Sequence, residues 1–90
     1  VFARKLLIER IDAEGAAHRC PIHWIDSFSM RNFTNDAIFD DTMPIGDGAL
    51  EVGYRVPLDR LQDSMTGWFR RKNYIGPEEQ LRISEPVAVL

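Results

Sequence analysis

The chain has one cysteine, Cys20, so no intramolecular disulfide can staple it. The fold must hold by packing alone, and the expected setting is a reducing one: the cytoplasm, or a particle assembled there. Excess basic charge is missing as well. Fourteen acidic residues outweigh eleven basic ones, which argues against a protein whose main task is to neutralise a phosphate backbone. No apolar run nears the length of about 20 residues that crosses a bilayer, so no membrane partner is expected. Near the start, Arg4 and Lys5 are followed by just three apolar residues before Glu9, too few for the core of a secretory signal.

Other absences narrow the chemistry. Gly46-Asp47-Gly48 lacks the third glycine, the preceding strand and the following helix of a phosphate-cradling loop. Asp36, Asp40, Asp41 and Asp47 lack the ligand alternation and terminal Glu of a calcium loop, and read instead as a solvated connection or partner surface. Internal repeats, low-complexity tracts and dividing linkers are all absent. Ninety residues make one small domain, 1–90, with a single core.

What is present is a mean hydropathy of -0.25, typical of a soluble globular chain, with two Trp, five Phe and two Tyr to build the core of a domain this small. Residues 1–12 read as a strand with apolar surface on both faces. Asp12-Ala13-Glu14-Gly15 reads as a hairpin turn, Asp12 bonding the backbone ahead of it and Gly15 accepting positive φ. Over residues 16–28, Ala16, His18, Cys20, Ile22, Trp24 and Phe28 share one parity, which predicts a second strand, with Pro21 marking an edge or bulge. Residues 30–48 lose any period and predict an irregular loop with a helical turn near residues 35–40. Leu50, Val52, Tyr54 and Val56 alternate strictly and predict a third strand.

Leu58, Leu61, Met65, Trp68 and Phe69 then follow the three-and-four spacing of an amphipathic helix. Pro57 stands at its first residue, Asp59 and Asp63 lie toward its start, and Arg70, Arg71 and Lys72 lie at its carbonyl end. Asn73, Gly76 and Pro77 close it. Residues 80–90 predict a last strand. The sum is an α+β fold in the order β-β-loop-β-α-β: a mixed or antiparallel sheet of about four strands covered by one amphipathic helix.

Three constellations could carry function. His18, Cys20 and His23, with Asp26, are ligand types that zinc prefers, or a thiol with candidate bases. On a strand, however, His18 and Cys20 face away from His23, and no second ligand pair follows. The expected site is therefore neither metal nor catalytic, and no cofactor is expected. Arg70, Arg71, Lys72 and Tyr74, beside Trp68 and Phe69, mix cations and aromatics as nucleic-acid binders do. Trp68 and Phe69 belong to the buried stripe, so this footprint is modest and nucleic acid is the alternative partner. The third is apolar: Phe33, Ile38, Phe39, Met43 and Ile45 in the loop, and Val87, Val89 and Leu90 at the end. Such clusters read as contacts with other protein chains, by strand addition or otherwise. The expected function is a non-catalytic subunit or accessory domain of a larger assembly, a virion component or the small subunit of a multi-chain complex, and homo-oligomers belong to the same class.

Overall fold

In the computed structural model, residues 4–29 and 42–85 are described. Their elements run β1 (Arg4–Ile11), β2 (Ala17–Arg19), α1 (Ile22–Ser29), β3 (Thr42–Gly46), β4 (Ala49–Val52), α2 (Leu58–Arg71) and β5 (Gln80–Ser84). The α+β class holds, with five strands and two helices, and every pairing is antiparallel.

β1 is the centre of the sheet, and its register explains the rest. Leu7 pairs with Ala49 of β4 and with Ser84 of β5, so those strands lie on opposite edges of β1. Glu9 pairs with Arg19 of β2 and Arg82 of β5. β2 and β4 therefore lie end to end along the same edge, and β3 flanks β4. The chain leaves this line at Cys20 and rejoins it at Gly48. Gly48 seals the joint: its N–H donates to the Cys20 carbonyl at 2.7 Å, and its carbonyl accepts the Ile8 N–H at 2.7 Å.

Residues directly opposite one another share a face of a sheet. Leu6 and Ile8 of β1 thus align with Leu50 and Ile83, while Val52 and Leu81 lie opposite Arg4 and Arg10. Both helices cover this face: Ile25 and Phe28 of α1 and Leu61, Met65 and Phe69 of α2 are buried with Leu6, Ile8, Leu50, Val52 and Leu81 in one core. Each large apolar side chain so buried stabilises the fold by about 1.5–3 kcal/mol. Arg4 and Arg10 stand at the two ends of this face, where Arg4 donates to the Val56 carbonyl and Arg10 pairs with Glu79. The other face carries Lys5 opposite Glu51 and Glu9 opposite both Arg19 and Arg82, cross-strand pairs of opposite charge suited to solvent.

Four expectations change. First, residues 16–28 are not one strand: β2 ends at Arg19 and a helix begins at Ile22. Trp24, Ile25 and Phe28 also fit helical spacing, and the choice falls to a distant residue, Asp47, whose Oδ1 accepts the Ile22 N–H at 2.8 Å and caps α1. Second, the expected loop contains β3. Its half-buried residues are Thr42, Pro44 and Gly46 while Met43 and Ile45 are exposed, the reverse of an ordinary half-buried strand, and a bulge lies between Pro44 and Gly46. Third, the strand at Leu50 stops at Val52. The chain turns at Gly53, whose carbonyl accepts the Val56 N–H, and Tyr54 projects outward. Fourth, Pro57 precedes α2 as its N-cap, with Leu58 the first helical residue. The expected turn near residues 35–40 and the end of the last strand lie outside the described residues.

The close of α2 follows the sequence reading. Asn73 takes φ 62°; its N–H donates to the Arg70 carbonyl and the Tyr74 N–H to the Phe69 carbonyl. This is the double bond pattern of a helix ending in a left-handed residue, and the expected apolar contact is present as Tyr74 on Phe69, ring centroids 5.5 Å apart.

Candidate contact surfaces

The end of α2 and the start of α1 meet in an aromatic cluster. Tyr74 lies parallel to Trp24 with centroids 4.9 Å apart. Trp24 meets Phe69 edge-on at 5.8 Å, and the exposed His23 ring stands edge-on to both Trp24 and Tyr74. These geometries suit the quadrupoles of the rings. Trp68 Nε1 donates to Ser27 Oγ at 3.2 Å, tying the helices together.

The basic end of α2 is partly committed within the fold. Arg70 Nη2 donates to the Glu79 carbonyl at 3.0 Å, and the Lys72 ammonium sits 4.8 Å from the centre of the Trp68 ring. Tyr74 is half-buried with one ring face on Trp24, and Arg71 is exposed. Beside them, Arg70, Asn73, Tyr74, Ile75, Gly76 and Glu79 line an open surface cleft of about 380 Å³. Its acidic group is engaged: Glu79 Oε1 accepts the Gly76 N–H at 2.7 Å while Oε2 pairs with Arg10. These bonds, Gly76 first and Arg10 second, hold the Glu79 carboxyl below its ordinary value.

The structure separates His18, Cys20 and His23. His18 is exposed on β2, with Nε2 2.8 Å from Asp12 Oδ2. Cys20 is fully buried in the core, where desolvation pushes its thiol up to about 11. His23 lies on α1, in the aromatic cluster. Among the described residues no group of three His, Cys, Asp or Glu is placed to hold a metal ion. At neutral pH such a thiol stays protonated, the state least suited to nucleophilic attack.

Of the apolar candidates, Met43 and Ile45 lie on β3, 55% and 42% exposed. Phe33, Ile38, Phe39, Val87, Val89 and Leu90 lie outside the described residues. Two exposed apolar residues escaped the sequence reading, Ile22 at 43% and Tyr54 at 66%, because strand alternation assigned both to the buried face. The Asp12–His18 pair also escaped it, although a hairpin turn between two residues six apart is the signal that would have found it.

The outer strands β5 and β3 differ. The Ile8 N–H points toward Gly48, so Ile8 and Ile83 do not exchange hydrogen bonds, and the Ile83 N–H faces away from β1. Gln62 Oε1 of α2 accepts it at 3.2 Å, covering that edge. β3 pairs with β4 alone among the described strands. No helix of the described residues is long and apolar enough to cross a membrane. Comparison of the chain with protein-family models, curated proteins and solved structures gives no match.

Proposed function

We propose that this chain is a non-catalytic small subunit or accessory domain that works by contact with another protein chain of a larger assembly. The observation that supports it is β3, an outer strand whose outward side chains, Met43 and Ile45, are apolar and about half exposed. Apolar side chains displayed together on a strand are the usual material of a protein contact. A virion component and the small subunit of a multi-chain complex both work this way, and the single free cysteine supports a cytoplasmic setting for either. The nucleic-acid reading draws less support from the geometry, since Tyr74 is stacked on Trp24 and Lys72 covers Trp68.

A photocrosslinking residue at position 43, introduced into the chain in its native source, tests the proposal. The expected result is a defined crosslinked protein, identified by mass spectrometry, whose yield falls when Ile45→Lys is added. A chain that sediments as a lone monomer and crosslinks to no protein overturns it.

A further inference from the structure

We infer that the ribbon formed by the turn after β1 and by β2 is a separately opening flap, latched by the Asp12 side chain, whose release bares the backbone N–H and C=O of Arg10 on the edge of β1. The flap is defined by burial. Residues 13–19 are all exposed, whereas Ile8 on one side and Cys20 on the other are completely buried. No apolar contact in the core therefore depends on β2, and segments of that kind open with less free energy than the fold as a whole.

Besides its backbone ladder with β1, the flap is held by one carboxylate. Asp12 Oδ1 accepts the N–H groups of Glu14 at 3.0 Å and Ala16 at 2.9 Å, and Oδ2 lies 2.8 Å from His18 Nε2. The Asp12 N–H donates to the Ala16 carbonyl, and the Gly15 N–H to the Asp12 carbonyl. The charged groups around the latch are His18 on β2, Arg10 on β1, which lies opposite His18, and Glu79, which pairs with Arg10.

β1 does not follow the flap. Residues from Leu7 to Ile11 stay paired with β5 on the far edge, Glu9 Oε1 accepts from Arg82 Nη2 at 2.7 Å, and Arg10 remains tied to Glu79. Cys20 stays seated through the Gly48 N–H. Opening thus leaves the core strand in place and frees the N–H and C=O of Arg10, since those of Glu9 and Ile11 face β5.

Hydrogen exchange of the whole chain, residue by residue at neutral pH, tests this. In the native chain the amides of Asp12, Gly15 and Ala16 are expected to exchange far faster than those of Ile8 and Leu61. Asp12→Ala is expected to speed the flap amides severalfold further while the pairing of β1 with β5 persists; Asp12→Asn, which keeps an oxygen acceptor, is expected to fall between. Native flap amides as slow as the core, or flap amides unmoved by Asp12→Ala, overturn the inference.

Discussion

Gly48 donates its N–H to the carbonyl of Cys20 across 2.7 Å, and this bond joins two strand segments that the sequence separates by an entire helix and strand. The position requires glycine twice over. Its φ is +68°, and an added Cβ would stand 3.2 Å from the Ile8 carbonyl oxygen and 3.3 Å from Arg19 Cβ. Gly48→Ala is expected to destabilise the fold by about 1–3 kcal/mol, combining the left-handed backbone with the contact to Ile8. Gly67, on the exposed face of α2 with nothing within 4 Å of its added Cβ, provides the contrast: Gly67→Ala is expected to stabilise by about 0.5–1 kcal/mol. Urea unfolding midpoints check both, and changes of the same sign would refute the account.

Asn73 ends α2 in the left-handed conformation, where glycine is the usual occupant. Asn73→Gly should leave the fold as stable or raise its stability by a few tenths of a kcal/mol, while Asn73→Ala should cost about 1 kcal/mol. Thermal unfolding of the two variants measures this difference directly. Equal melting temperatures would show that the Tyr74 contacts, and not the residue at 73, determine how the helix stops.

How much of this was legible depends on whether local pattern and final environment agree. They agree at Leu58, Leu61, Met65 and Phe69, where one period fits, and at Asp12 and Gly15, whose turn chemistry is local. They conflict in β3, where the inward positions hold Thr42, Pro44 and Gly46 and the apolar residues face out; alternation cannot reveal a strand written in reverse. At α1 both periods fit Trp24 and Phe28, and the deciding cap, Asp47, lies 25 residues further along. The aromatic cluster was hidden for the same reason, since Trp24 and Tyr74 are brought together only by the packing of α1 on α2. Met43 and Ile45 could be singled out from sequence because an apolar residue in a polar tract stands out whatever structure it adopts.

Cys20 is buried on every side and its thiol is pushed up to about 11, so native protein at neutral pH should resist a mild thiol reagent. Labelling is expected to proceed at the rate of unfolding, and to become immediate in denaturant. Rapid stoichiometric modification of the native chain would contradict this burial and restore interest in the thiol as a reactive group. Cys20→Ala removes one buried atom and should cost little beyond the small cavity it leaves.

Acid provides the last test, because two carboxylates are held below their ordinary values by folded-state bonds. Asp12 is lowered chiefly by His18 and the Ala16 N–H, Glu79 chiefly by the Gly76 N–H and then by Arg10. A carboxylate lowered on folding stabilises the native state above its unfolded value, near 4, and that contribution fades as the pH falls through the lower folded value. Stability should therefore decline on acidification below about pH 5, where the unfolded chain binds more protons than the folded one. Glu79→Gln removes one of these lowered groups, so the variant's melting temperature should fall less steeply with acid than that of the parent, although it starts lower at neutral pH through the weakened tie to Arg10. Parallel curves for parent and variant from pH 7 to pH 3 would show that Glu79 titrates alike in the folded and unfolded chain, and would remove the link between the 76–79 turn and β1 as a source of acid sensitivity.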